Sequence, residues 1–284
     1  MTTAPPALSQ GRLHDHRRIW EGKPVLGQVY RPWFDALLAE VTPGARVLEV
    51  GAGPGFLSGH ARQARPDARW LATDLLETPW NDLVADGLRL PFAAEIFEAV
   101  AGFDLIHHLA HPRAFFEEAG RVLRPGGRAV FVEPWVTPLS YPIYRFFHQE
   151  GCTLGLDPWN PFALAPGAPK EAFDGDAAVV WRLVRETPAE AWGTLGFRPP
   201  RIRVLNGFAY LLSLGFREAS LLPAPAAPLL LAVDAWLARA APWLGLRALA
   251  VWEKGGAFPG SSSRKGRGGR LGVRAGPGAN SEGR

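Results

Sequence analysis

The chain has 284 residues, 47% of them hydrophobic, which suits one large domain or two small ones with a sizeable core. A single cysteine, Cys152, excludes an internal disulfide and a metal cluster of the cysteine kind. The formal charge of +4 is unevenly placed, since residues 258–284 carry six basic residues and one acid. Their net charge of +5 leaves −1 for residues 1–257, so the near-neutral body does not favour nucleic acid as a partner.

Composition also predicts the character of the two ends of the chain. Residues 258–284 are rich in Gly, Ser and Arg, so we expect a solvated, disordered tail; an auxiliary contact of this tail with RNA or a membrane stays open. Residues 1–29 lack the apolar stretch of a signal peptide. The longest apolar stretch, 228–252, is interrupted by charges and a proline, so no transmembrane segment is expected. We therefore expect a cytoplasmic protein.

The N-terminal part of the chain predicts one helix. Residues 1–29 are predicted to be irregular and contain a cluster of polar side chains. We expect two members of that cluster, His14 and His16, to be solvated, and we expect no metal there. Apolar residues at helical spacing over 30–41 predict a helix, which Pro43 stops.

A short apolar run, 47–50, is predicted to be a buried strand that leads into a glycine-rich loop. Three glycines at every second position, from Gly51 to Gly55, open the next helix over 56–63. Glycine allows left-handed backbone angles and lets a ligand approach closely. Because a buried unpaired carboxylate is costly, we expect Glu49 to meet a polar or cationic ligand at the end of this strand. An ordinary strand-to-helix turn is the alternative.

The next two strands each end at an acidic residue. Residues 70–73 predict a second strand, which ends at Asp74. Nucleotide-binding folds place an acid about 20 residues beyond the glycine loop to accept hydrogen bonds from ribose hydroxyls, and a helix N-cap is the alternative role. Residues 83–85 predict a third strand, followed by Asp86 and Gly87.

The chain then contains further predicted elements, and its motifs follow one another in a specific order. Further elements are predicted as a strand at 97–102, a helix at 114–123 and a strand at 128–132. The motifs are 47–55, Leu90-Pro91-Phe92, His107-His108-Leu109 and 122–127. Together they resemble the type-11 group of class I S-adenosylmethionine (SAM) methyltransferases, which includes quinone-biosynthesis methyltransferases. The resemblance implies an α/β, Rossmann-like fold: a seven-stranded, mostly parallel sheet with helices on both faces, a β-hairpin-like antiparallel last strand, and a substrate-side insertion after strand five.

The same resemblance implies S-adenosyl-L-methionine as the cofactor and assigns its contacts. Glu49, Gly51, Ala52 and Gly53 would hold the methionine end, Asp74 the ribose, and Asp86, Gly87 and Phe103 the rest. An NAD-binding fingerprint would need its third glycine at position 56, where the chain has Phe56. The connection 75–81 is too short for a crossover helix, so we expect a turn there and a more open adenine side.

The acceptor side is predicted to follow strand five. Residues 133–150 leave that strand on the cofactor's side of the sheet and are predicted to form the acceptor wall, within a lid or insertion at 134–176. The residues assigned to it are Glu133, Tyr141, Tyr144 and Arg145, with His148 as the candidate general base because histidine titrates near neutral pH. An insertion that only packs over the sheet, and a core role for His148, are the alternatives. His108 is assigned a structural role near the pocket.

The rest of the chain predicts helices at 177–197, 208–214 and 228–240, and strands at 202–205 and 248–252. We expect a SAM-dependent methyltransferase domain over 1–257. It would transfer a methyl group to a small-molecule or lipid-like acceptor by in-line displacement, without a metal. Eleven tryptophans suit a large apolar acceptor as well as a rich core. The alternative is a non-catalytic SAM-binding scaffold or regulatory protein.

Overall fold

A computed structural model describes residues 6–147, 150–163 and 170–255. Within these residues one sheet of seven strands has the order β3-β2-β1-β4-β5-β7-β6. The strands are β1 (Arg46–Val50), β2 (Arg69–Asp74), β3 (Leu83–Val84), β4 (Phe97–Phe103), β5 (Leu123–Pro134), β6 (Arg201–Leu205) and β7 (Arg247–Glu253). The pairs among β1 to β5 are parallel, and β7 is antiparallel to both β5 and β6. The predicted sheet is confirmed.

The order of the strands creates a crevice beside β1. The chain runs outward from β1 through β2 to β3, then returns to the other side of β1 as β4. Connections that leave two adjacent parallel strands in opposite directions open a space at their carboxyl ends, where ligands bind in this class of fold. The antiparallel register of β5 and β7 pairs Pro134 with Arg247, so the start of β7 lies at that same end of the sheet.

Helices cover both faces of the sheet. They are α1 (Pro6–Gly22), α2 (Pro24–Leu38), α3 (Phe56–Ala64), α4 (Pro112–Val122), α5 (Ser140–Phe146), α6 (Ala178–Glu186), α7 (Ala189–Thr194), α8 (Phe208–Ser213) and α9 (Ala227–Ala240). One core packs α4, α6 and α7 against Leu48 and Val100, and the other packs α2 and α3 against Val47 and Ala99. Neighbouring strand residues thus point into opposite cores, as the two-residue period of a strand requires.

The prediction that residues 1–29 are irregular is wrong. They contain α1 and the beginning of α2. Leu13 is buried, and the indole of Trp20 stacks on Phe56 with ring centroids 4.0 Å apart. These apolar residues anchor α1 to the body of the protein, although the polar residues between them obscured the helical pattern. His14 is exposed as expected, but His16 is half-buried rather than solvated.

The segment 177–197 is two helices rather than one. Pro188 separates α6 from α7, because proline lacks a backbone N–H and cannot continue the helical hydrogen-bond pattern. The connection 75–81 forms turns without a helix, as we predicted from its short length. In the part of the chain described, no helix has both the length and the apolar character needed to cross a bilayer.

Some predictions concern residues that the structure does not describe. His148 and the tail at 258–284 lie outside the described residues. The domain boundary at residue 257 and the disorder of the tail therefore stay predictions. Strand β7 ends at Glu253, which is the last residue of the sheet in chain order.

Candidate active site

A cavity of about 1080 Å³ opens at the carboxyl ends of β1, β2 and β4. Its wall has two parts, which we call the strand side and the helix side. The strand side consists of the cavity-lining residues at, or just beyond, the carboxyl ends of the strands. The helix side consists of the cavity-lining residues of α1, α2, α5 and α8, the loop 214–217 and Arg247. Pockets for one small ligand have volumes of roughly 300–1,000 Å³, so this cavity has room for a cofactor and an acceptor together.

All of the residues assigned to the cofactor lie on the strand side. They are Glu49, Gly51, Ala52, Gly53, Asp74, Asp86, Gly87 and Phe103. They come from separate strand ends, and the parallel sheet brings these ends to one edge. The structure thus places together what the motifs indicated separately, while the contacts of each residue with SAM stay predictions.

The glycine loop has a shape that other residues would not permit. Gly51, Gly53 and Gly55 have φ of 70°, 52° and 72°, in the left-handed region that favours glycine. A Cβ atom on Gly51 would lie 2.6 Å from Cδ1 of Leu105. The loop therefore needs glycine both for its backbone angles and for the space beside β4.

Asp74 fastens this loop to the end of β2. Its Oδ2 accepts a hydrogen bond from the Gly53 amide at 2.8 Å, and its Oδ1 accepts one from the Leu76 amide at 2.9 Å. Burial raises the pKa of Asp74 despite these two bonds. Each carboxylate oxygen can accept a further bond, so Asp74 is able to hold the loop and a ligand hydroxyl at once. No helix begins at Leu75 to Asn81, which removes the N-cap role.

Glu49 is the most deeply buried carboxylate on the strand side, with 2% of its surface exposed. Its Oε2 accepts a hydrogen bond from the Trp70 indole N–H at 2.5 Å. Burial raises the pKa of Glu49 to about 8. A cationic ligand group in the cavity would favour the ionised form, so Glu49 is suited to bind positive charge.

Asp86, Gly87 and Phe103 complete the strand side. Oδ1 of Asp86 accepts a hydrogen bond from the Leu88 amide at 2.9 Å, which fixes the turn after β3. A Cβ atom on Gly87 would lie 2.9 Å from Cγ1 of Val50. The Phe103 ring adjoins the helix side, 5.4 Å from the ring of Tyr30.

The acceptor wall differs from its prediction. Of the side chains assigned to it within the described residues, Tyr144 lines the cavity, but Glu133, Tyr141 and Arg145 do not. Tyr141 packs against one of the two cores, and Arg145 is exposed because it follows Tyr144 on the outer side of α5. His148 lies outside the described residues. Tyr141, Tyr144 and Arg145 all lie on α5, and the sequence alone does not show which side of this helix faces the cavity.

Glu133 has another task, because it is fully buried beneath the cavity wall. Its Oε1 accepts hydrogen bonds from the amides of Leu105 at 3.0 Å and Ile106 at 2.7 Å. Its Oε2 lies 2.6 Å from Nδ1 of His107. Since an ionised carboxylate can only accept, His107 donates from Nδ1, and Glu133 fixes the short turn after β4 on which His107 lies.

His107 and His108 both line the cavity and differ in charge. Burial opposes a charge on His107, but Glu133 and Glu150 outweigh it and raise the pKa of His107 to about 10. Burial, and then the neighbouring charge of His107, lower the pKa of His108 to about 4. At neutral pH His107 is therefore an imidazolium and His108 a neutral ring.

An ion pair that the sequence did not reveal crosses the helix side. Arg247 is 5% exposed and donates to Oδ1 of Asp104. Its guanidinium also lies over the rings of Trp33, Phe103 and Tyr210, at 4.7, 5.0 and 5.5 Å from their centroids. In the sequence, Arg247 merely interrupted an apolar stretch, and only the β5–β7 register shows that it reaches the cavity.

A buried lysine holds one loop of the helix side. Lys23 is 7% exposed, and its ammonium donates to the carbonyls of Gly215 and Arg217, both at 2.8 Å. It also donates to the carbonyls of Ser213 and, at 2.8 Å, Ala219. The loop 213–219 is thereby gathered around one cation. No motif near Lys23 pointed to this role.

Comparison with known proteins finds similarity to methyltransferases. A family model described as a methyltransferase domain matches residues 48–131, from β1 to β5. The curated relatives include the ubiquinone/menaquinone biosynthesis C-methyltransferase UbiE of Cupriavidus metallidurans, 27% identical over 164 residues. The UbiE of Dinoroseobacter shibae is 30% identical over 143 residues. These matches support a class I SAM-dependent methyltransferase domain in this chain.

The similarity covers part of each relative. The matched region is 52% of this chain and 66% of the Cupriavidus protein. For the Dinoroseobacter protein it is 42% of this chain and 57% of the relative. A chain in the solved complex of the Haloferax volcanii Trm112 methyltransferase activator and a methyltransferase has the same fold, with a TM-score of 0.51 and 16% identity. That match covers 84% of this chain and 94% of the other.

The strand side fits the cofactor of the family. SAM carries positive charge on its sulfonium and amino groups, for which Glu49 offers a buried carboxylate. Its ribose offers hydroxyl donors, for which Asp74 offers acceptor oxygens on the cavity wall. The left-handed glycines allow the loop backbone to approach a ligand closely.

Proposed function

We propose that this protein is a SAM-dependent methyltransferase that transfers a methyl group to a small-molecule or lipid-like acceptor by in-line displacement. The observation that carries the proposal is the convergence of all eight cofactor-assigned residues on one wall of a cavity that has room beyond a cofactor. The relatives named as C-methyltransferases of ubiquinone/menaquinone biosynthesis support an acceptor of small, apolar character.

The strand side would bind the cofactor. Glu49 and the loop from Gly51 to Gly53 would hold the methionine end, Asp74 the ribose, and Asp86 with Gly87 and Phe103 the rest. When bound, SAM supplies an electrophilic methyl group on a sulfonium.

The helix side would bind and orient the acceptor. The rings of Tyr30, Tyr144, Tyr210 and Phe216 lie on its wall, and flat apolar surfaces of this kind suit a planar or lipid-like molecule. Binding there would exclude water and hold the nucleophile near the strand side. Positioning alone contributes several kcal/mol to reactions between two bound groups.

The candidate base remains His148, by its place in the sequence. His108 lines the cavity, but a pKa near 4 makes it a weak base at neutral pH. If the acceptor must lose a proton, His148→Ala should lower turnover about 10²–10⁴-fold while SAM affinity is unchanged. Arg145→Ala is the control, because Arg145 is exposed and does not line the cavity. Full turnover in the His148 variant would remove it from the mechanism.

Two measurements test the function. Calorimetry should show binding of SAM and of S-adenosylhomocysteine, and no binding of NAD. Incubation with methyl-labelled SAM and fractionated small metabolites and lipids should then give a labelled product. Binding without any labelled product would favour the non-catalytic scaffold, and binding of NAD alone would end the proposal.

A further inference from the structure

Three side chains that could bind a metal ion converge on the cavity wall where β4 meets the insertion. They are Nε2 of His107, Nε2 of His108 and the carboxylate of Glu150, and their candidate ligand atoms lie within 4.8 Å of one another. All three residues line the cavity. The two histidines are adjacent in sequence, whereas Glu150 comes from the insertion after β5, so only the fold brings the set together.

Both imidazole rings are oriented by a hydrogen bond from Nδ1, the ring nitrogen that faces away from Glu150. Nδ1 of His107 donates to Glu133 at 2.6 Å, and Nδ1 of His108 donates to the Asp174 carbonyl at 3.0 Å, because neither oxygen can donate. In each ring this leaves Nε2 directed toward Glu150. Metal-binding histidines typically donate their second N–H to a carboxylate or a backbone carbonyl, which fixes the tautomer and orients the ligand nitrogen.

The spacing of the three groups also suits a metal ion. Nε2 of His107 is 3.0 Å from Oε2 of Glu150, and Nε2 of His108 is 3.7 Å from Oε1. Ligand atoms of a tetrahedral zinc site, each about 2.0–2.1 Å from the ion, are about 3.3 Å apart.

A metal ion at this site would take the place of a proton. The carboxylates of Glu133 and Glu150 flank His107, one on each ring nitrogen. Lys170 is one opposing charge, since it lines the same cavity and its ammonium donates to the Asp174 carbonyl at 2.6 Å. The Lys170 ammonium and the His107 imidazolium balance these two carboxylates, so a metal ion would bind with release of the proton on Nε2 of His107.

We propose that His107, His108 and Glu150 bind one divalent transition-metal ion of the zinc type, with a coordination position open to the cavity. Two histidines and one carboxylate are a ligand set of catalytic zinc and of non-haem iron, and such sites keep an open position for water or substrate. The open position here would take an oxygen of the acceptor, such as a hydroxyl or a carbonyl. Metal binding goes beyond the proposed function and does not depend on it, whereas the role of the open position rests on that function.

The test uses the full chain, stripped of metal with a chelator and dialysed. Calorimetric titration with Zn²⁺ should show one ion per chain, and Co²⁺ should give the visible absorption of a site with nitrogen ligands. Glu150→Gln and His108→Gln should each weaken Zn²⁺ binding about tenfold or more. His111→Gln is the matched control, because His111 is exposed and does not line the cavity.

Each outcome decides the proposal. Failure to bind Zn²⁺ and Co²⁺ stoichiometrically, unchanged affinity in both site variants, or an equal loss in the His111 control would overturn it. If circular dichroism shows that a site variant does not fold, X-ray absorption spectroscopy of the wild-type zinc complex replaces that variant as the test. Two imidazole ligands on the zinc ion would support the site, and a coordination shell without them would reject it. SAM binding is measured on the same wild-type sample, so failure of the metal site and failure of the proposed function remain distinct.

Discussion

The strand side and the helix side of the cavity are built in different ways. The eight cofactor-assigned residues of the strand side lie within one segment of the chain, from Glu49 to Phe103, and each follows a strand or lies at its end. The helix side joins residues as distant in sequence as Leu13 and Arg247. The strand side depends on backbone turns and on Asp and Glu side chains. The helix side depends on two buried cations, Lys23 and Arg247, which hold distant elements together.

This difference predicts how the two sides respond to substitution. Changes on the strand side should alter cofactor affinity and leave the packing of the helices intact. Changes to the buried cations should destabilise the helix side before they alter the cofactor contacts. The following substitutions test that division, from the largest expected effect to the smallest.

Arg247→Met should destabilise the protein most. It leaves Asp104 without its guanidinium partner, and breaking one partner of a buried ion pair costs about 3–5 kcal/mol. Urea unfolding measures the loss. The double variant Asp104→Asn with Arg247→Met should recover part of it, because no uncompensated charge is left. A loss below about 1 kcal/mol for the single variant would show that the pair does not hold the helix side together.

Glu49→Gln should move stability and cofactor affinity in opposite directions. With a folded pKa near 8 and an ordinary value of 4.5, Glu49 stabilises the fold fully only below about pH 4.5, and this contribution is lost as pH rises to about 8. The glutamine variant should therefore be more stable than the wild type by on the order of 3 kcal/mol at neutral pH.

The same variant should bind SAM at least about tenfold more weakly, because the charge-assisted contact is lost. Thermal unfolding from pH 4 to 8 and calorimetry measure the two effects. Stability differences that do not change with pH would show that Glu49 titrates normally. Unchanged SAM affinity would place the cationic end of the cofactor elsewhere.

The contrast also explains what the sequence could predict. The glycine loop, Asp74 and Asp86 were predictable because each needs only a local pattern: an apolar strand followed by a residue of special conformation or charge. Lys23 and Arg247 carried no local pattern. Their roles arise from partners about 190 residues away for Lys23 and 143 residues away for Arg247, which only the folded topology brings near.

The sequence predicted no metal, whereas the structure led us to propose a metal site, and the reason is similar. The expectation of no metal considered His14 and His16, which are neighbours in sequence. The histidines of the proposed metal site meet Glu150, which is 43 residues beyond His107. Likewise, Glu133 was predicted to face the acceptor because it ends β5. The structure instead shows that amides and an imidazole satisfy it beneath the wall, a set of partners that strand position alone does not reveal.

Lys23→Met should loosen the helix side with an intermediate effect. It leaves the carbonyls of Ser213, Gly215, Arg217 and Ala219 without their shared donor. We expect a loss of about 2–3 kcal/mol in stability and faster hydrogen exchange over 213–219, while SAM affinity stays within about threefold. Lys254→Met is the matched control, since Lys254 binds at the opposite end of β7 and does not line the cavity. Equal exchange over 213–219 in both variants would remove Lys23 from the role proposed for it.

Asp74→Ala is the smallest and most local of these changes. Charge-assisted hydrogen bonds contribute about 1.5–3 kcal/mol each, and water recovers part of that, so SAM affinity should fall by roughly one to two powers of ten. The substitution also frees the amides of Gly53 and Leu76, so a change in loop shape must be separated from a lost ligand contact. Asp82→Ala provides the separation. Asp82 also accepts from a backbone amide of β2, that of Ala72 at 2.7 Å, but it does not line the cavity.

If Asp74 meets the ribose, its variant loses SAM affinity and the Asp82 variant does not, although both lose some stability. A further comparison uses adenosine in place of SAM. Adenosine keeps the ribose and lacks the methionine end, so its binding should weaken in the Asp74 variant and not in Glu49→Gln. Equal losses in the two variants would mean that the strand side acts as one structural unit, rather than as separate contacts for separate parts of the cofactor.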